Sequence, residues 1–371
     1  MNNKCRTCLL PSAYPSAAID DSGVCAYCRN LETTDHETVQ FQNEARRKEF
    51  EKNLETSLQE CREKGEYDVL VCLSGGKDSL YLLHVLKEKY KLNILAFTTD
   101  INIPDIAWDN IRTALDKLQI DHLVYRPSES FYKKLFRYVL QNQEARGAVY
   151  SLSYVYAPLF EGDALRVATE KKIPLVLAAY SPGQPEPERM VYEFDKELIE
   201  NCDWTPPQLR ESAMFSQEDL ARFWNPARYP KGTQFPRYLA PFHAWDYNQD
   251  HVMKQVVELG LVRKARYASP IWSNYPINWL LMYSDLRQFG YNPYAPEFST
   301  LIREGKASRT YWMVMGPLVN WMIRHMVFLG KNARHSLKWL GLKPEDLKVT
   351  LPLCAYDPPH IASRTERSHL G

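Results

Sequence analysis

The segment Ser74-Gly75-Gly76-Lys77-Asp78-Ser79 constrains this chain more than any other. It follows the strand-like run Tyr67 to Leu73 and precedes the helix-like stretch Leu80 to Lys89. A strand, a glycine turn and a helix start, in that order, build an anion site. Adjacent glycines let the backbone turn sharply and bring several N–H groups towards one phosphate. The helix start adds its positive dipole end. Ser74 and Ser79 add hydroxyl donors, Lys77 adds a point charge, and Asp78 offers a carboxylate for Mg²⁺. The spacing is not that of the Walker A loop, in which the first glycine and the Gly-Lys pair stand farther apart. The bland alternative is a Gly-Gly turn without a ligand, and the strand–loop–helix context argues against it.

Length and charge set the frame. A chain of 371 residues exceeds one average domain and points to two units plus attachments. Hydrophobic residues make up 45%, enough for a sizeable core. A net charge of +1 gives no global electrostatic case for nucleic acid. Lys4 and Arg6 stand where a secretory signal would place an apolar core, so the expected location is cytoplasmic. No apolar run is long enough to span a bilayer. The closest approach, Trp312 to Leu329, contains Asn320, Arg324 and His325. It reads as a buried amphipathic helix, with an interfacial helix as the lesser alternative.

Four of the 8 cysteines cluster at the N-terminus, as Cys5-x-x-Cys8 and Cys25-x-x-Cys28. In a reduced chain, paired knuckles of this kind are a zinc signature, with four thiolates closing a tetrahedral ion. A closed Cys₄ site has no open position, which implies a structural Zn²⁺. Two disulfides, free thiols or an iron–sulfur cluster are the alternatives. Pro11, Pro15 and Asp20-Asp21-Ser22-Gly23 between the pairs are turn residues, so residues 1–32 read as a small metal-held knuckle.

Residues 33–64 are charged and helix-prone, a linker helix. From 65 to 185 strands alternate with helices. Strands are expected at 67–73, 93–100, 121–125 and 174–180, helices at 80–90 and 106–118, and a long helical region at 128–171 kinked near Pro158. This pattern predicts an α/β fold with a doubly wound parallel sheet, whose ligands bind beyond the carboxyl ends of the strands. Three such ends are therefore suspects: the glycine loop, Thr99-Asp100, and Ser181 to Gly183. Residues 186–237, rich in Pro, Glu and Arg, read as an irregular lid or partner loop. Residues 238–371 read as a helical, aromatic-rich region. Asn274 and Asn278 stand one helical turn apart and are substrate candidates, with Asp285 and Arg287 beyond them; the plainer reading is a core of aromatic helices.

The Ser74–Ser79 segment resembles the PP-loop of the ATP pyrophosphatases, enzymes with a HUP-like fold that cut ATP between its α and β phosphates to adenylate a substrate oxygen. Knuckle, PP-loop domain and helical C-terminal region, in that order, resemble the N-acetyl sugar amidotransferases of surface-polysaccharide biosynthesis, whose cysteine pairs match Cys5, Cys8, Cys25 and Cys28 and whose Gly-Val-Cys segment matches Gly23-Val24-Cys25. Sharp motif matches cover only about the first 100 residues. The resemblance implies ATP and Mg²⁺ held at Ser74 to Ser79, with Lys77 neutralising the departing pyrophosphate. It further implies adenylation of the acetyl carbonyl of a nucleotide-linked sugar, and displacement of AMP by ammonia from a separate glutaminase. A homodimer is left open. The competing reading is sulfur transfer, as in tRNA thiolases and thioamide-forming enzymes, which implies a sulfur donor and usually a reactive cysteine or an iron–sulfur cluster. Cys202 in the irregular segment is then the best candidate and Cys354 the next. Cys72 falls in a strand expected to be buried, and Cys61 on a helix expected at the surface.

Overall fold

The computed structural model describes residues 4–15, 17–33, 36–181, 192–273 and 275–357. Five parallel strands form the central sheet: β1 (Val69–Cys72), β2 (Ile94–Thr99), β3 (Asp121–Tyr125), β5 (Leu175–Leu177) and β6 (Arg237–Leu239). Their order is β3-β2-β1-β5-β6. The chain winds outwards from β1 to β3, then returns to the other side of β1 through β5, with Val71 paired to Ala96 on one side and Leu177 on the other. Ligands of such sheets bind where the winding reverses, at the carboxyl ends of β1 and β5. A separate pair, β4 (Gln143–Glu144) and β7 (Val349–Leu351), closes the helical region.

Alternation along β1 divides the core between two faces. Val69 and Val71 pack with Leu54, Leu58, Leu80, Ile111 and Val256 from the helices His36–Glu60, Lys77–His84, Asp105–Leu118 and Gln249–Glu258. Leu70 packs with Phe97, Leu165, Trp224 and Tyr238 on the opposite face. The doubly wound α/β fold, with its cysteine cluster and helical C-terminal region, is thus the observed one.

The expected long helix divides into Glu129–Gln141 and Ala148–Glu170, with β4 between them. Pro158 lies inside the second helix, which runs unbroken past it. An interior proline costs about 3 kcal/mol. Burial opposes that cost at both ends. Leu152, Val155 and Leu159 sit in the helical-region core, and Ala164, Leu165 and Ala168 sit against the sheet.

The segment after 185 also differs from an irregular loop. Its described part forms the short helices Lys196–Asn201, Pro207–Glu211 and Gln217–Leu220. Trp204, Phe223 and Trp224 are buried, and Trp224 Nε1 donates to the Ile199 carbonyl at 2.9 Å. The segment delivers β6 to the sheet edge, so the sheet takes its last strand from well beyond residue 185.

Candidate functional site

The loop after β1 has the geometry that its glycines predict. Gly75 has φ +78°, and a Cβ there would lie 2.5 Å from the Ala107 carbonyl oxygen, so only glycine fits. Gly76 is the N-cap of the Lys77–His84 helix, and no side chain caps it. The first-turn amides are therefore left to an anion. Ser79 Oγ donates to the Gly76 carbonyl at 3.0 Å, and the Ser74 amide donates to Ser79 Oγ at 3.3 Å, so the two serines hold the loop closed on itself. Asn110, fully buried on the Asp105–Leu118 helix, braces it from outside by donating to the Gly75 carbonyl at 3.0 Å.

Lys77 is buried, and its Nζ lies 2.6 Å from Asp78 Oδ2 and 3.2 Å from the Tyr247 hydroxyl. Tyr247 in turn donates to Asp78 Oδ1 at 3.0 Å. Burial alone would lower the lysine pKa, but Asp78 and Tyr247 hold it above the ordinary value, so the ammonium stays charged. A phosphate entering the loop meets a buried cation whose counter-charge, Asp78, is a hard-oxygen ligand suited to Mg²⁺.

Two cavities meet at this loop, and Asp78 lines both. One, of about 270 Å³, lies over the ends of β1 and β5 and is walled by Ser74, Ser79 and Thr99 with the rings of Tyr156, Tyr180 and Tyr275. Under it the hydroxyls of Tyr180 and Tyr238 are 3.2 Å apart, and Tyr180 donates to Glu161 at 2.7 Å. Flat rings beside a phosphate loop suit a purine. The other cavity, of about 400 Å³, is walled by Lys77 and Ser181 from the α/β unit, Glu297 and Trp312 from the helical region, and Cys8 and Pro11 from the knuckle.

Glu297 lies in the first turn of the Ala295–Arg303 helix. Burial pushes its carboxyl up to about 8, with Lys77 pulling the other way. It was not legible in the sequence, nor were Tyr247 and Asn110. Each is an ordinary helix or loop residue until the fold sets it beside the glycine loop.

The four N-terminal thiols converge. Cys5 and Cys28 Sγ are 3.8 Å apart, Cys8 and Cys25 Sγ are 3.6 Å apart, and all four lie within 4.8 Å of one another. That is one coordination sphere, and the donor set fits a single metal ion. The knuckle docks on the helical region. Arg303 Nη1 donates to Cys8 Sγ at 3.4 Å, Arg309 Nε donates to the Thr7 carbonyl at 3.1 Å, and the Tyr14 and Tyr291 rings meet edge to face.

The other expected residues fall as follows. Thr99 lines the smaller cavity, and its Oγ1 donates to Asp163 at 3.3 Å. Asp100 lines neither cavity; it pairs with Arg126 at 3.3 Å and accepts the Ile103 amide at 3.2 Å. Gly183 and Asn274 lie outside the described residues. Asn278 is half-buried and lines neither cavity. Asp285, fully buried, accepts the Ala148 and Val149 amides at 2.5 and 3.1 Å and so caps the Ala148–Glu170 helix rather than facing a ligand. Arg287 is exposed and donates to the Pro344 carbonyl.

Cys202, half-buried, lines neither cavity, and burial raises its thiol pKa. Cys354 likewise lines neither, and burial pushes it up to about 11. Cys61 follows the His36–Glu60 helix and is buried rather than on the surface, because that helix packs against the sheet. Cys72 does line the smaller cavity, 3.6 Å from the Tyr238 hydroxyl, and burial holds its thiol at about 12.

No family model and no curated protein matches the chain. Among solved structures, it is similar to the U34-tRNA thiolase NcsA from Methanococcus maripaludis with its [4Fe-4S] cluster, at 17% identity over 95% of this chain and 91% of that one, TM-score 0.36. It is also similar to the NMN synthetase from Francisella tularensis, at 12% identity over 82% and 97%, TM-score 0.33. A third is the NH3-dependent NAD synthetase from Campylobacter jejuni subsp. jejuni, at 15% identity over 83% and 99%, TM-score 0.33. At these identities and scores, nothing about substrate or cluster passes from those proteins to this chain.

Proposed function

We propose that this chain is an ATP-dependent enzyme of the PP-loop type that adenylates a carbonyl oxygen, releases pyrophosphate, and transfers ammonia to the activated carbon of an N-acetylated sugar. The carrying observation is the glycine loop at the junction of two cavities, with the charged Lys77 and Asp78 between a ring-lined pocket and a larger one. ATP would place its base among Tyr156, Tyr180 and Tyr275 and its phosphates on the loop amides. The acceptor would enter the larger cavity from the side of Glu297 and Ser181.

The first step joins the acceptor carbonyl oxygen to the α-phosphorus and breaks the bond to pyrophosphate. Lys77 neutralises the charge that develops on the leaving group, and the loop amides bind its oxygens. Asp78 would carry Mg²⁺, which adds charge neutralisation at the same phosphates. In the second step ammonia attacks the imidate carbon and AMP leaves. Glu297 takes the proton that the incoming nitrogen must lose, a role of its ionised form, which becomes dominant as pH rises through about 8. Alignment of two bound reactants supplies most of the remaining acceleration. The ammonia would come from a separate glutaminase.

For the knuckle we infer structural zinc. With Zn–S bonds near 2.3 Å, a tetrahedron has edges of about 3.8 Å. Two of the sulfur pairs, at 3.8 and 3.6 Å, match that edge, and all four sulfurs lie within 4.8 Å of one another. A four-iron cluster standing between the thiolates would hold them farther apart.

The test is a paired turnover assay with ATP, Mg²⁺ and a panel of UDP- and CMP-linked N-acetyl sugars and purine bases, with ammonium or sulfide, read by mass spectrometry. The expected result is AMP release that requires ammonium, with one acceptor oxygen replaced by NH. Sulfide-dependent release with oxygen replaced by sulfur would overturn the ammonia step and move the enzyme to thiolation. Lys77→Ala should lower AMP formation by about 10²-fold or more in either case; undiminished turnover would remove Lys77 from the phosphate site.

A further inference from the structure

The Arg309–His325 helix has two unlike faces. Val319, Met322 and Ile323 face the helical core, and Trp312 and Asn320 line the larger cavity. The outward face is apolar. Tyr311, Val314, Leu318 and Trp321 recur at intervals of three and four, on one stripe, and all are exposed, Val314 by 61%. Phe328, exposed by 71%, extends the stripe through its ring contact with Trp321. Scattered exposed hydrophobics need no explanation, but a contiguous stripe along three helical turns does.

Charge says what covers it. From Gly305 to Pro344 there is no Asp or Glu, against seven Lys and Arg. Arg324, Lys331, Arg334 and Lys338 are exposed around the C-terminal end of the stripe. Aromatic and aliphatic side chains on one helix face, bordered by exposed cations, match a helix lying in the interface of an anionic bilayer. The helix has 17 residues, about 26 Å, and none of the described helices is long and apolar enough to cross a membrane, so this one would lie in the interfacial plane. A second copy packed on this face would bring its cations towards their own kind. RNA would use the cations and the rings of Tyr311, Trp321 and Phe328, but it would leave the aliphatic Val314 and Leu318 between them without an apolar partner.

We propose that this chain docks on anionic lipid bilayers through the outward face of the Arg309–His325 helix, with Phe328 and the cations that follow it. The same helix is a wall of the larger cavity, so docking sets that cavity about one helix diameter from the headgroups. The inference does not depend on the acceptor or on the nucleophile.

The experiment is co-sedimentation of the full, metal-loaded chain with vesicles of phosphatidylcholine, with and without phosphatidylglycerol. Wild type should sediment with the phosphatidylglycerol vesicles and not with phosphatidylcholine alone, and high salt should release it. Val314→Glu with Leu318→Glu, both on exposed positions outside the cavities, should weaken binding at least tenfold while leaving melting and monodispersity unchanged. Arg324→Glu with Lys331→Glu should weaken it without touching the stripe. Absence of wild-type sedimentation overturns the proposal, as does binding that ignores the glutamate pair. A stable wild-type dimer that this pair dissociates assigns the face to a second copy, and RNA binding lost in the Arg324 and Lys331 variant but kept in the glutamate pair assigns it to nucleic acid. Either outcome overturns the lipid assignment. None of these readouts uses turnover, so failure here is distinct from failure of the proposed reaction.

Discussion

At Gly75 the backbone and the packing make the same demand. A side chain there must tolerate φ +78° and must displace the Ala107 carbonyl, which belongs to a helix end and cannot swing aside. Gly75→Ala should therefore distort the loop, with a local cost on the order of 1–3 kcal/mol from backbone strain alone. Isothermal titration with ATP should find affinity reduced by about tenfold or more. Glu297 makes a different kind of prediction. Its carboxyl is raised to about 8, so it is neutral below that pH and ionised above it. If it accepts the proton of the incoming nitrogen, kcat/KM should rise with pH through about 8, and Glu297→Gln should flatten that limb. The stability sign is opposite. A carboxyl with a raised folded-state pKa contributes stability that is present below its unfolded value and lost as pH rises through about 8. The Gln variant should therefore gain on wild type in melting temperature above pH 8. A variant that keeps the rising limb would show that another group carries it.

The knuckle shows how one element depends on others. Its four converging thiols would supply the metal sphere, and a unit this small has little core beyond Leu10 and Ala17. Cys5→Ser with Cys8→Ser should release one metal ion per chain, measured by elemental analysis, and should unfold the unit. Arg303, Arg309 and Tyr291 dock the knuckle against the larger cavity, so the loss should reach the acceptor before ATP. KM for the acceptor should rise by roughly tenfold or more with a smaller change in KM for ATP. Equal changes in both would place the knuckle's influence on folding rather than on the cavity. Helices follow the same logic. Pro158 marks a break in any local reading, and the helix persists because each half is anchored in a different core.

For the whole molecule, the sheet is completed only by β6, and Phe242, Tyr247, Val252 and Val256 pack on the face that carries Val69 and Val71. A chain ended at residue 185 lacks these groups and should not fold alone; circular dichroism and amide exchange should find it without cooperative unfolding. A stable fragment with nucleotide affinity would show that β1, β2, β3 and β5 suffice. What the sequence by itself determined is local in the chain. The glycine turn after β1, the first four strands of the sheet and the convergence of the four cysteines are each written in contiguous residues or fixed short spacings, because backbone turns, pleat alternation and knuckle geometry depend on near neighbours. What only the tertiary structure decided is long-range. Tyr247 reaches Lys77 across 170 positions, and Glu297 faces it from a different core. Asp285, a plausible ligand in the sequence, becomes a helix cap, and Cys202 stays apart from the loop. No local pattern encodes such pairings, since they are set by which apolar faces bury one another.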